Sequence, residues 1–398
     1  MSPMTCSRSS RWLVLAALTA LFVLPLAIMV RFNITGHYEG LYLLHQYHSG
    51  RYELTDDLFV GQGERLIAGI DLSALPKSGI RDLLGHRGAG QAHLHYEWDP
   101  KAGCGYVKNF LGNGRDITTY LGRFEDEGET VRGVFVGGGP PSVAAALQNH
   151  PYNNSGMTYF DGARWNHLWC NVNELVASGV TAMAVPPSRW RFLGSRVEES
   201  SRQRLTVTSS HEVGIDNFLL RIDRRGEFVA GASFMRLDVR VTNSGTTPAI
   251  FLYAYGDEPW VGEYGSSRGD IGWVQDRLIT REEVIDTARY SHAGIFDYGN
   301  DLIGEGHTFT TTANFIEWGG KEIPTAYFSN TVGRIAPPPE RMPLSGNRRF
   351  IGLEWGPRVL APGESATYNL AVGMAAFDPA RGVPLKPPTG LQRPDSLP

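Results

Sequence analysis

Apolar and charged residues alternate most regularly at residues 235–242 (MRLDVRVT), where Leu237, Val239 and Val241 are separated by single polar positions. Because successive side chains of a strand point to opposite faces, these three residues would share the buried face of an antiparallel sheet. An Asn-Ser-Gly turn signal follows directly, and residues 249–255 then return as a more apolar strand. This part of the chain therefore predicts two strands joined by a turn.

Similar strand-like runs occur at residues 204–209, 217–222, 308–318 and 367–372. Turn formers are frequent between such runs, since the chain of 398 residues contains 47 glycines and 24 prolines. A helix is favoured only at two short stretches, residues 142–148 (SVAAALQ) and residues 281–288 (REEVIDTA), with Thr280 as a candidate N-cap of the second. The sequence therefore predicts an all-β fold, organised as one large antiparallel β-sandwich.

A continuous apolar run at residues 12–30 (WLVLAALTALFVLPLAIMV) is long enough to span a bilayer as a helix. Arg8 and Arg11 precede it and only Arg31 follows at once, which would keep residues 1–11 in the cytoplasm and export the main domain. A cleaved signal peptide is the alternative, although the run continues past its weak cleavage signal. An uncleaved N-terminal transmembrane anchor fits better, and both alternatives predict a periplasmic or extracellular domain.

Two proline-rich breaks divide the rest of the chain, at residues 185–188 (VPPS) and 336–339 (APPP). The first would separate an N-terminal β-rich region, residues 36–185, from a β-sandwich region, residues 186–380. Residues 381–398 form a proline-rich tail that has few apolar side chains to bury, so we expect this tail to be loose.

Charge and motif spacing exclude several classes of function. Lysine and arginine number 37 against 41 acidic residues, for a net charge of -4, so no basic surface for nucleic acid is expected. No G-x-S-x-G nucleophile elbow is present, and the glycines at residues 137–139 lack the spacing of a P-loop. Cys104 and Cys170 form no C-x-x-C pair, and in an exported domain they would be either a disulfide or two free thiols.

The H-x-H pair at His93 and His95 would place both imidazoles, together with Glu97, on one face of a strand. Such a set can ligate zinc or a similar metal. Nothing later in the sequence completes a recognisable ligand signature. We therefore predict neither a metal ion nor a cofactor.

Two stretches in the C-terminal half, residues 237–255 (LDVRVTNSGTTPAIFLYAY) and residues 351–373 (IGLEWGPRVLAPGESATYNLAVG), resemble the galactose-mutarotase-like super-sandwich of the aldose epimerases. The first resembles the family's strand, turn and return strand, and the second resembles its closing hairpin. The resemblance covers about a third of the chain. It implies a super-sandwich fold and a ligand of the carbohydrate class.

The resemblance also implies roles for individual residues. Glu354 is the position that matches the glutamate acting as general base in the family. The place of the family's catalytic histidine is taken here by residues 256–259 (GDEP), so the acid would be Asp257 or Glu258. Paired carboxylates suit acid–base chemistry when their surroundings separate their pKa values. The missing histidine argues against mutarotase activity itself.

The residues around these acids also favour a sugar site. Tyr253, Tyr255, Trp260 and Tyr264 could stack on the apolar faces of a sugar, while the carboxylate of Glu263 could accept hydrogen bonds from its hydroxyls. The alternative is a strand end whose acids face water and whose aromatic rings close the edge of the sandwich.

A second polar and aromatic cluster, residues 157–174, supplies Arg164 and His167 as further candidate ligand contacts. The alternative for this cluster is that its tryptophans are core anchors and that a backbone carbonyl satisfies His167.

The sequence predicts an exported, membrane-anchored protein that binds or processes carbohydrate at the cell envelope, through an epimerase, lyase or hydrolase reaction if it is an enzyme. The alternative is a non-enzymatic envelope component that uses the same sandwich to contact a protein partner, which the sequence does not identify. A concave pocket in which Glu354 faces Asp257 or Glu258 would favour the first hypothesis.

Overall fold

The computed structural model describes most of the chain beyond residue 90, in several ranges that belong to one compact unit. The described residues are 91–101, 103–112, 114–126, 129–135, 156–161, 165–169, 172–259, 261–262, 270–298, 311–331, 337–338, 341–344 and 349–392. The predicted anchor at residues 12–30, the segment before it, the helix candidate at residues 142–148 and Cys170 lie outside them. In the described ranges, no helix is long and apolar enough to cross a membrane.

Strands account for nearly all the regular structure of these ranges. In chain order they are β1 (His93–Asp99), β2 (Cys104–Phe110), β3 (Asp116–Asp126), β4 (Glu129–Phe135), β5 (Gly156–Phe160), β6 (Trp165–Trp169), β7 (Val172–Ser178), β8 (Ala184–Val185), β9 (Arg191–Ser200), β10 (Arg204–Ile215), β11 (Phe218–Val229), β12 (Phe234–Asn243), β13 (Ala249–Asp257), β14 (Asp270–Val274), β15 (Arg277–Ile279), β16 (Glu283–Ile285), β17 (His292–Asp297), β18 (Ala313–Gly319), β19 (Thr325–Ser329), β20 (Phe350–Leu360), β21 (Ser365–Asp378) and β22 (Val383–Leu385). A 3-10 turn, Pro187–Arg189, is the one helical element of the described part. The prediction of an all-β fold with large antiparallel sheets is confirmed.

The strands form three antiparallel sheets. The N-terminal sheet has the order β1-β2-β3-β5-β6, with β4 paired to β3. The ten-stranded sheet has the order β15-β14-β17-β18-β21-β12-β11-β10-β9, with β22 paired to β21, and the central sheet has the order β16-β19-β20-β13-β7-β8. Strand β7 precedes the proline break at residues 185–188 but pairs with β13, so the central sheet includes strands from both sides of that break.

The strand predicted at residues 235–242 is confirmed as β12, whose apolar residues are buried at every second position. The strand predicted at residues 249–255 is confirmed as β13, but it does not pair with β12: β13 pairs with β7 and β20 in the central sheet, while β12 pairs with β11 and β21. The hairpin predicted at residues 351–373 is wrong, since β20 and β21 belong to different sheets. Both stretches contain connections between two facing sheets.

The side chain of Asn243 explains why these two connections lie side by side. Its Nδ2 donates to the carbonyl oxygens of Thr247, in the first connection, and Leu360, at the start of the second, over 2.8 and 2.9 Å. Its backbone N–H donates to the carbonyl of Glu364, and its own carbonyl accepts from the N–H of Gly363. The turn predicted after residue 242 is therefore present, but it joins two layers instead of two neighbouring strands.

The main core lies between the inner faces of the three sheets. The rings of Tyr253 and Trp355 from the central sheet pack on Tyr368 of β21, with centroid distances of 5.0 and 4.8 Å. The N-terminal sheet adds its own inward face, and the Nδ2 of Asn109 ties it to the carbonyls of Val229 and Ala232 beside the ten-stranded sheet. Burial of this apolar surface is the dominant stabilising contribution to the fold.

Two local predictions are wrong. Residues 281–288 contain the short strand β16 instead of a helix, because Val284 and its neighbours pair with β19. The tail is not loose as far as residue 392, since β22 pairs with β21 and Thr389 is buried. The side chain of Arg236 donates to the carbonyl of Thr389, and Lys386 forms an ion pair with Glu317 at 2.9 Å. The tail therefore lies on the outward face of the ten-stranded sheet.

Candidate functional site

Tyr253 and Tyr255, two of the predicted sugar-stacking residues, point into the core of the sandwich. They lie on the inward face of β13, where both rings are almost completely inaccessible. The hydroxyl of Tyr253 donates to Glu174 Oε1 at 2.6 Å, and that of Tyr255 donates to the carbonyl of Phe135 at 3.2 Å. Burial raises the pKa of both phenols, so they stay protonated donors at neutral pH. Neither ring is available to stack on a ligand.

The acid that accepts from Tyr253 belongs to an ion pair inside the core. Glu174 of β7 receives three hydrogen bonds of 2.7 to 3.0 Å from the guanidinium of Arg224 on β11. Both side chains are buried to about the same extent as the surrounding apolar residues. The pair joins the central sheet to the ten-stranded sheet, and its geometry leaves neither charge unsatisfied.

His211 extends this pair toward the N-terminal sheet. The Nη1 of Arg224 lies 2.8 Å from His211 Nδ1, and the Nε2 of His211 lies 2.7 Å from the carbonyl of Arg132. Because an arginine can only donate, Nδ1 accepts and Nε2–H donates to the carbonyl. Burial, and then the charge of Arg224, lower the pKa of His211 to about 3. The imidazole is therefore neutral, and His211, Arg224 and Glu174 together connect the three sheets.

The acids of the predicted site, Asp257 and Glu258, are also buried, with exposed fractions of 1% and 9%. Just beyond them, Gly262 forms a two-bond bridge with His167 of β6, with N–H to carbonyl distances of 2.8 and 3.0 Å. The structure thus brings the two sequence clusters together, although nothing in the sequence predicted that they would meet. The remaining predicted contacts lie outside the described residues: Arg164, Trp260, Glu263 and Tyr264.

Glu354, the predicted general base, lies on the outward face of the central sheet. It is half-buried on β20, and its Oε2 has no hydrogen-bond partner among the described residues. Burial raises the pKa of this carboxyl from its ordinary value of 4.5 to about 7. A carboxyl with that pKa exchanges its proton near neutral pH, which is the property a general acid or base needs.

The surroundings of Glu354 explain its desolvation. Ala254 of β13 and Leu175 of β7 lie beside it in the same row of the sheet, and Thr325 of β19 lies on its other side. Two residues earlier in β20, Gly352 leaves room for the ring of Tyr327, because a Cβ there would lie only 2.3 Å from that ring. The carboxyl therefore sits between an apolar row and the exposed Thr325.

The structure does not bring Glu354 and Asp257 together. Glu354 lies opposite Ala254 in the register of β13 and β20, whereas Asp257 shares the inward face with Tyr255. Glu258 follows four residues after Ala254, about 13 Å along an extended chain. Carboxyl pairs that act on glycosidic bonds lie about 5–9.5 Å apart. The predicted division of roles between these acids therefore has no support in the register.

The N-terminal sheet carries a polar row that the sequence patterns did not reveal. Lys108 in this row is 2% exposed, with its Nζ 3.8 Å from the carboxylate of Asp116. His95 of the H-x-H pair and His167 were the two members of the row that the sequence had indicated as candidates, and no group of three metal-ligating side chains occurs in the described ranges. The directly opposed residues that form this line on one face are His95, Lys108, Thr118, Thr158 and His167.

The sequence contained a signal that these two charges are buried, although it did not show that they form a pair. Arg224 occupies an inward position of β11 between Ile222 and Gly226, and Glu174 occupies an inward position of β7 beside Val176. A charge at an inward position requires an opposite charge or several hydrogen bonds. A charged residue at an inward strand position is therefore the sequence signal that was missed.

No protein-family model and no curated protein sequence matches this chain. Solved structures that are similar to it include an aldose 1-epimerase candidate from Klebsiella pneumoniae, with 10% identity over 73% of this chain and 85% of that one and a TM-score of 0.39. A galactose mutarotase-like protein from Clostridium acetobutylicum shows 9% identity over 72% and 99%, with a TM-score of 0.36. A GH36 alpha-galactosidase from Geobacillus stearothermophilus shows 8% identity over 71% and 41%, with a TM-score of 0.34. Galactose-mutarotase-like proteins, which the two sequence stretches resemble, are thus among the chain's structural neighbours.

Proposed function

We propose that this protein binds a carbohydrate at the outward face of the central sheet and that Glu354 exchanges a proton with a hydroxyl of the sugar. The observation that carries the proposal is a half-buried carboxyl whose pKa is raised to about 7 and whose Oε2 has no hydrogen-bond partner in the described part of the chain. A sugar hydroxyl would supply the missing hydrogen-bond partner, and the raised pKa suits general acid–base chemistry. The protein would thus process the sugar that it binds.

The proposal includes the location of the protein. The apolar run at residues 12–30 and the arginines before it support an exported domain anchored in the membrane, with carbohydrate of the cell envelope as the ligand. Membrane fractionation followed by protease treatment of spheroplasts tests this part. A main domain that stays protected in intact spheroplasts and is digested only after their lysis would contradict export.

A binding screen tests the site. The full-length chain is titrated with mono- and oligosaccharides across the pH range around 7, and the same titrations are made with Glu354→Gln. We expect wild-type binding at millimolar concentration or better with a pH dependence centred near 7, and no such pH dependence in the variant. Glu283→Gln is the matched control. Glu283 lies on β16, an edge strand of the central sheet, and forms a partly exposed ion pair with Arg277.

The outcomes separate the two hypotheses. Absence of binding for every saccharide at millimolar concentration would overturn the carbohydrate proposal and favour the non-enzymatic envelope component. Equal binding and equal pH dependence for wild type and Glu354→Gln would remove Glu354 from the site.

A further inference from the structure

A groove of about 740 Å³ crosses the outward face of the ten-stranded sheet, on the opposite side of the sandwich from Glu354. Its floor is made by β9, β10, β11, β12 and β21, and its lining consists mainly of charged and hydroxyl side chains. The volume lies within the range of small-molecule sites. The groove lies next to the part of the same face that the tail covers, where Arg236 contacts Thr389.

The charges of the groove are nearly balanced. Arg224 is left out of the count, because Glu174 neutralises it in the core. The remaining lining contains four guanidinium groups and three carboxylates. The guanidinium groups are those of Arg196, Arg221, Arg225 and Arg240, and the carboxylates are those of Glu198, Asp223 and Asp238. The lining thus carries one net positive charge. A polyphosphate would meet three carboxylates, which disfavours that class of ligand.

Arg240 is the source of the uncompensated charge. Asp223, directly opposite it on β11, accepts hydrogen bonds from Arg221 and from Ser210. Asp238, on the same strand, accepts from Asn369 at 2.6 Å. No acidic side chain of the described residues forms an ion pair with Arg240, whose side chain is exposed in the groove.

We propose that the groove binds a hexuronate unit of an acidic oligosaccharide, with its carboxylate on Arg240. A planar guanidinium can hold a carboxylate through two parallel hydrogen bonds. Thr367, which lies directly beside Arg240 on β21, offers a hydroxyl to the same group. The carboxylates of Asp223 and Asp238 accept hydrogen bonds from the sugar hydroxyls. The guanidinium groups other than that of Arg240 donate hydrogen bonds to the oxygen atoms of those hydroxyls. A ligand with one negative charge and several hydroxyls matches this lining.

The test is a titration of the full-length chain with glucuronosyl-xylobiose, which carries one carboxylate, with xylotriose as the neutral trisaccharide and with inorganic phosphate. We expect glucuronosyl-xylobiose to bind more tightly than the other two, and its binding to weaken as the salt concentration rises. Arg240→Gln should weaken it at least about tenfold, because the substitution removes a charge-assisted, two-bond contact. Arg204→Gln is the matched control, since Arg204 lies on the same face outside the groove and near Glu227.

The results distinguish this site from the one at Glu354. Glu354→Gln should leave the binding of glucuronosyl-xylobiose unchanged, so failure of either site can be recognised separately. No binding of this trisaccharide, equal affinity for phosphate, or an unchanged affinity in Arg240→Gln would overturn the proposal. Because Arg240 is exposed, its replacement is expected to leave the fold intact, which the unfolding transition of the variant would verify.

Discussion

Glu174 and Glu354 lie in neighbouring rows of the same sheet but in opposite environments. Glu174 shares a row with Tyr255 on the inward face, while Glu354 shares the next row with Ala254 on the outward face. Glu174 accepts hydrogen bonds from Arg224 and Tyr253, whereas the Oε2 of Glu354 accepts none from the described residues. Two carboxyls in adjacent rows, on opposite faces of one sheet, therefore differ in role: the hydrogen-bonding capacity of Glu174 is satisfied within the core, whereas Glu354 is available for chemistry.

This difference follows from the two-residue period of a strand. A charge on the inward face must be neutralised, because an unpaired ion in the core is strongly unfavourable. A carboxyl on the outward face can remain unpaired, because water reaches part of it, and partial burial is then sufficient to raise its pKa. The comparison predicts that changes in the two environments have effects of different kinds.

The largest effect is expected from breaking the buried pair. Arg224→Met leaves Glu174 charged and without its main partner, so the free energy of unfolding should fall by about 3–5 kcal/mol. Denaturant titration measures the loss. Arg191→Met is the control, because Arg191 is exposed and pairs with Glu212 at the surface, where the loss should stay below about 1 kcal/mol. Equal losses in both variants would contradict the structural role of the pair.

The second effect is a loss of stability in acid that depends on His211. Its pKa is depressed in the folded state from 6.5 to about 3, so its contribution is present above pH 6.5 and is lost as the pH falls through about 3. By about pH 5 the loss should reach about 2 kcal/mol. The difference in unfolding free energy between wild type and His211→Gln should therefore shrink as the pH falls. A difference that is constant between neutral pH and acid would contradict this prediction.

The smallest effect has the opposite sign and comes from Glu354. Its pKa is raised from 4.5 to about 7, so its contribution is present below pH 4.5 and is lost as the pH rises through about 7. Because the side chain is partly exposed, the loss is expected to be only about 1 kcal/mol. Wild type should lose stability relative to Glu354→Gln across this range, and Glu283→Gln should follow wild type. Parallel profiles of wild type and Glu354→Gln would show that the carboxyl is not desolvated.

Much of the fold could be predicted from the sequence. The alternation in β12 indicated which residues are buried, and turn formers located the connection after Asn243. The prediction failed where partners had to be chosen, since neither β13 nor β21 pairs with the strand that precedes it in the chain. The two-residue period of apolar side chains identifies which face of a strand is buried. It contains no information about which other strand lies beside it.

The candidate site shows the same division. The sequence by itself determined that Glu354 lies within a strand and Asp257 near the end of another, that the chain is mostly β, and that charges occur at outward positions of β12. Only the tertiary structure decided that Glu354 and Asp257 face opposite sides, that Glu174 meets Arg224, and that the described acids leave Arg240 without an ion pair. Such contacts join residues far apart in the chain, and their distances depend on the register and stacking of whole sheets.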